Sequence, residues 1–275
     1  MIGVFDSGYG GLTVWRKLVE AFPQHDISYL ADTARAPYGS RTPEEIYHFT
    51  QEAVELLFER GCQLVILACN TASAIALRQL QQEWLPQRYP ERRVLGVLVP
   101  LIEEVVGQPF ALETPRTDAD PRCIGLLATE GTVRSGAFER EIAKRDPSVC
   151  FVSQACPRLA GVIDDGADPA HLSEVVTEYV RQLKHRAPQK LRAVLLGCTH
   201  YPLAEELIQA ELGEEIDLFC QPSIVTWSLR QYLGRHGELP IGKSARRVFL
   251  TTGDPELVSK RASGFIGQHL VFQRV

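Results

Sequence analysis

Short, unbroken apolar runs separated by helix-length segments constrain this chain most. They are IGVF at 2–5, ISYLAD at 27–32, LVILA at 64–68, CIGLLAT at 123–129, VCFVSQ at 149–154 and RAVLLG at 192–197. Runs without polar alternation suit strands covered on both faces. The stretches between them at 12–21, 43–60, 70–83, 131–145 and 170–186 carry helical patterning and are too long for hairpin turns. The expectation is an α/β fold in which mostly parallel sheets are flanked by helices.

The two halves echo each other. IGVFDS at 2–7 parallels IGLLAT at 124–129, and LVILACNT at 64–71 parallels AVLLGCTH at 193–200, in the same order and at similar offsets. This predicts two related α/β lobes, with the proline-rich, charged stretch at 107–122 as a loop or boundary. A net charge of −5 supplies no electrostatic footprint for nucleic acid or an anionic membrane surface. No run approaches the ~18 apolar residues of a membrane span, and no basic leader precedes Asp6, so the cytoplasm is the expected compartment. Seven cysteines without a C-x-x-C pair argue for free thiols over a disulfide framework, structural zinc or a thioredoxin-type redox motif.

Two of those cysteines stand apart. Cys69 and Cys198 each follow a buried-type strand and precede a polar dipeptide and a helix-compatible run, which places them at strand carboxyl ends, where open α/β sheets bind ligands. A helix start favours the thiolate and predicts a lowered thiol pKa. Should the lobes face one another, the pair could remove a proton from one face of a substrate and deliver one to the other. His200 could polarise Cys198 or the substrate, and Asp6, at the end of the first strand, could serve Cys69 in the same way. The small, hydroxyl-rich segments DSGYGG, YGS at 38–40, CNTAS and CTHYP suit carboxylate binding. No dinucleotide or nucleoside-triphosphate motif occurs, and the lysines at 17, 144, 184, 190, 243 and 260 avoid the strand ends where a pyridoxal phosphate Schiff base would be useful. Three further readings of these residues stay open: an isomerase acting on aspartate or another small acid, a Cys–His hydrolase or amidotransferase built on Cys198 and His200, and a binding protein that has lost activity.

The segments GVFDSGYGGLTV at 3–14, DTARAPYGSR at 32–41, ACNTAS at 68–73, GCTHYPL at 197–203 and TTGDP at 251–255 resemble those of the glutamate racemases, in the aspartate/glutamate racemase family. These are cofactor-independent enzymes that supply D-glutamate for bacterial peptidoglycan. The resemblance implies two pseudo-symmetric lobes with the active site in the cleft between them, residues 1–95 and 207–275 forming the first and 96–206 the second. It implies Cys69 and Cys198 as the acid/base thiols, Asp6 and His200 as their assistants, and Asp6, Ser7, Tyr38, Gly39, Asn70, Thr71, Thr199 and His200 as substrate-binding residues. No metal or cofactor is expected, glutamate is the implied partner, and assembly as a homodimer is left open. Departures from the family pattern are Asp164 where a glutamate is common, Tyr9 in place of a small aliphatic residue, and QPS at 221–223 in place of an Asp-containing segment.

Overall fold

The computed structural model describes residues 1–107 and 122–275. The expected loop at 107–122 therefore lies, apart from its two end residues, outside the described residues. The first lobe opens with β1 (Ile2–Asp6), α1 (Leu12–Ala21), β2 (Ile27–Ala31), α2 (Pro43–Glu59) and β3 (Leu64–Leu67). It continues through α3 (Asn70–Ile75), α4 (Leu77–Gln79), a π-helical turn at Leu80–Trp84, α5 (Leu85–Arg88) and β4 (Arg93–Gly96), and α6 (Leu98–Val106) follows, its buried face packed into the second lobe's core with Ile124, Leu126 and Leu195.

The second lobe runs β5 (Cys123–Ala128), α7 (Glu130–Ser135), α8 (Ala137–Arg145), β6 (Cys150–Ala155), α9 (Leu159–Asp164), α10 (Pro169–Arg186), β7 (Leu191–Gly197), α11 (Glu205–Leu212) and β8 (Asp217–Phe219). The chain then returns through α12 (Gln221–Arg235), β9 (Arg247–Thr251), α13 (Pro255–Ile266) and β10 (Gln273–Arg274).

Both sheets are wholly parallel. Their orders are β10-β9-β2-β1-β3-β4 and β6-β5-β7-β8. The four-strand order β2-β1-β3-β4 is therefore repeated as β6-β5-β7-β8, which is the internal echo of the sequence in three dimensions. Alternate residues of one strand serve opposite faces. Ile2, Val4, Leu64 and Ile66 pack into one core layer, and Phe5, Val65 and Leu67 into the other. In the second lobe Leu127, Val194 and Leu196 face one way and Ile124, Leu126, Ala193 and Leu195 the other.

The expected return to the first lobe at 207 comes too early. α11 packs on α10, and β8 pairs with β7, where it satisfies backbone groups that would otherwise lie along a bare sheet edge. The crossing falls at about Cys220, after which α12 packs on α1 and α6. Local chemistry sets several other boundaries. α2 begins in a capping box, with the Glu45 N–H donating to Thr42 Oγ1 (3.2 Å), the Thr42 N–H donating to Glu45 Oε2 (3.0 Å), and Pro43 at the first turn. Gly136, at φ +61°, splits the expected single helix at 131–145 into α7 and α8.

Candidate active site

The carboxyl ends of the two central strand pairs face each other. Asp6 ends β1, Cys69 lies just beyond β3, Thr129 follows β5 and Cys198 follows β7. Contacts between the lobes are polar and close. Thr199 Oγ1 donates to Asp6 Oδ2 (3.2 Å), and Thr13 Oγ1 donates to the Thr199 carbonyl (3.1 Å). Thr71 Oγ1 lies 2.9 Å from Thr129 Oγ1 and 3.3 Å from Thr132 Oγ1. Gly10 lies so close to the other lobe that a Cβ there would sit 2.3 Å from Thr199 Oγ1 and 2.5 Å from His200 Nδ1.

Cys69 occupies the N-cap of α3, where its sulfur accepts from the Ala72 N–H (3.5 Å) and lies 3.6 Å from Ser7 Oγ. Cys69 as a residue is 6% exposed. Burial, followed by the charge of Asp6, pushes its pKa up to about 12, against the smaller opposing effects of the Ala72 N–H and Ser7. The expectation of a lowered pKa is thus overturned for this thiol. A six-residue helix and one N–H cannot offset the loss of water around the sulfur. Cys198 lacks the expected helix start altogether, because a short 3₁₀ turn at Tyr201–Ala204 separates it from α11. The residue is 6% exposed, and its sulfur lies 3.6 Å from His200 Nδ1.

His200 is buried, with its ring edge-on to Phe265 at 5.8 Å. Its other nitrogen, Nε2, lies 3.0 Å from Asp164 Oδ1 at the end of α9, close enough to pair although off the line of a hydrogen bond. Burial works against a charged imidazole, but Asp164 and Cys198 outweigh it and hold the pKa well above the ordinary 6.5. The shorter acid at 164 therefore still reaches the histidine. Burial likewise raises the Asp6 pKa, opposed by His200, the Gly8 N–H (2.8 Å) and Thr199.

The remaining sequence-derived residues surround this centre. Ser7 is half-buried beside Cys69, and Asn70 and Thr71 open α3. Gly39 lies against Thr129, and the buried Tyr38 donates its hydroxyl to Asp32 Oδ2. Tyr9, half-buried, lies within reach of the charges of Arg261 and Asp164. Sequence reasoning did not single out Asp32, Thr129 or Thr132, and noted Gln221 only as part of the QPS departure. Asp32 fixes Tyr38, Arg35 (2.7 Å) and the Thr252 hydroxyl (2.7 Å), and only its place in the DTARAPYGS segment hinted at this. Gln221, fully buried at the start of α12, donates to Asn70 Oδ1. Among the described residues no group of three or more His, Cys, Asp or Glu side chains is arranged to hold a metal ion, and no helix is long and apolar enough to cross a membrane.

The chain that carries this site matches known proteins along its length. A family model described as Asp/Glu/Hydantoin racemase matches residues 2–219. The chain is 44% identical over 274 residues to a glutamate racemase of Jannaschia sp. strain CCS1, covering 100% of this chain and 99% of that protein. In fold it is similar to a glutamate racemase from Bacillus anthracis, with a TM-score of 0.87 at 30% identity, covering 100% of this chain and 97% of that one. A glutamate racemase from Francisella tularensis in complex with D-glutamate gives a TM-score of 0.84 at 28% identity, covering 100% and 96%.

Proposed function

Because the chain belongs to the Asp/Glu/Hydantoin racemase family, we propose that it interconverts L- and D-glutamate, with Cys69 and Cys198 as opposed acid/base thiols, and so supplies D-glutamate for peptidoglycan. The observation that carries this reading is two near-buried thiols from opposite lobes, each with a polar partner of its own: Ser7 for Cys69 and His200 for Cys198. A hydrolase built on Cys198 and His200 would leave the Cys69 arrangement without a use.

One sulfur, as thiolate, takes the α-proton. The electron pair left on the α-carbon is delocalised into the α-carboxylate, and the opposite thiol gives its proton to the other face. The thiolate and thiol have then exchanged states, and the reverse reaction runs from the second sulfur. Donors aimed at the carboxylate lower the barrier most when charge grows there. Ser7, Asn70, Thr71 and Thr199 are the candidates in this site, while Tyr38 and Gly39 close it from the β2–α2 loop. Cys69 ionises reluctantly beside Asp6, and a substrate ammonium near Asp6 would relieve that repulsion. The Asp164-supported imidazolium of His200 provides positive charge against a negative sulfur on the other side.

With both thiols nearly buried, the proposed reaction requires the lobes to part to admit substrate. Incubating the purified protein with L-glutamate, without added cofactor, and separating the enantiomers tests the proposal. D-glutamate should accumulate to a racemic mixture, with little conversion of aspartate. Conversion of aspartate alone, or release of ammonia from amides without racemisation, would replace this reading with one of its rivals.

A further inference from the structure

We infer that Gln221 is a positioning residue for the site, acting through Asn70, an inference that rests on the glutamate racemase reading above. Gln221 opens α12, the helix with which the chain returns from the second lobe, and its side chain is fully buried. Its Nε2 donates to Asn70 Oδ1, across 151 residues of sequence. Asn70, 2% exposed, directly follows Cys69. Its Nδ2 is buried and unpartnered among the described residues, as is the Oε1 of Gln221.

An unpaired buried donor is costly unless a ligand completes it. A carboxamide has one donor end and one acceptor end, so occupying the oxygen of Asn70 with a donor decides which end is left over. Gln221 thereby leaves the NH2 of Asn70 open, and that is the end able to pair with a carboxylate. With Gln221 absent, the Asn70 amide can turn and offer its oxygen, which repels the same group. The QPS segment, a departure from the family pattern in sequence, thus gains a physical role at its first residue.

Gln221→Met keeps the length and removes the donor. Its KM for glutamate should rise about tenfold, the scale of one hydrogen bond to a charged group, with kcat within about twofold, because neither thiol is touched. In an Asn70→Ala background the same substitution should add nothing further, since the residue through which it acts is gone. Calorimetric titration with D-glutamate reads the same comparison as a Kd, independent of turnover. Thermal melts verify folding, and Gln221→Leu carries the comparison should the methionine variant not fold. An unchanged KM and Kd would overturn the inference. So would an equal penalty with and without Asn70, which would mark Gln221 as a packing residue. A native chain that binds glutamate without racemising it would overturn the functional reading and leave the coupling to be decided by the titrations.

Discussion

His200 and Cys69 are both buried and both hold their protons more tightly than usual, but for different reasons. His200 gains an acid partner that outweighs its burial and stays protonated above its ordinary range, whereas Cys69 is kept a neutral thiol first by burial itself and then by the neighbouring charge of Asp6. For the histidine, the raised folded pKa stabilises the protein fully below about 6.5, and this contribution is lost as pH rises through the folded value. Asp164→Asn should lower the His200 pKa followed by NMR, flatten that alkaline loss of stability, and reduce kcat/KM by at least about tenfold. For Cys69, the folded protein holds a proton that the unfolded chain releases, so stability falls as pH rises from 9 to about 12. In the free protein at pH 8, iodoacetamide should therefore label Cys69 more slowly than the same cysteine in the denatured chain, as mass spectrometry of the modified peptides would report. Neither shift was legible in sequence. The position of each cysteine at a strand end was, but a strand-end motif does not disclose how much water the finished lobes leave around the sulfur.

Strands such as LVIL at 64–67 and CIGLLA at 123–128 could be read directly, because a run buried on both faces carries no other chemistry. The three residues of β8 and two of β10 could not. They are short, half-buried or exposed, and defined by pairing to a neighbour whose position the sequence does not state. The pairing of β8 with β7 keeps residues up to Phe219 with the second sheet, and the contact of Gln221 with Asn70 beyond it spans too much sequence to be read from either segment alone. The start of α2 is a clearer case of local chemistry, since Thr42 and Glu45 cap each other immediately after the Tyr38–Ser40 loop. Thr42→Ala should cost about 1 kcal/mol of stability, read as a lower denaturant midpoint at unchanged slope. A destabilisation indistinguishable from zero would mean that tertiary packing alone fixes this helix start.

The repeated strand order makes the molecule two similar halves, and hydrogen bonds between them hold the carboxyl ends of their strands face to face, the geometry the proposed reaction needs to reach both faces of one carbon. Closeness of the halves is itself part of the site. Gly10→Ala would place a methyl against Thr199 and His200, so it should leave each lobe folded while lowering kcat/KM by about 100-fold. A near-native rate would show that the lobes work further apart than they stand here. The most direct test of the opposed-thiol account follows racemisation and α-deuterium incorporation from L-glutamate in deuterium oxide for the native chain, Cys69→Ser and Cys198→Ser. The account predicts that native D-glutamate carries solvent deuterium and that each substitution alone abolishes racemisation. Sustained racemisation by either variant would contradict it, because a single thiol would then serve both faces.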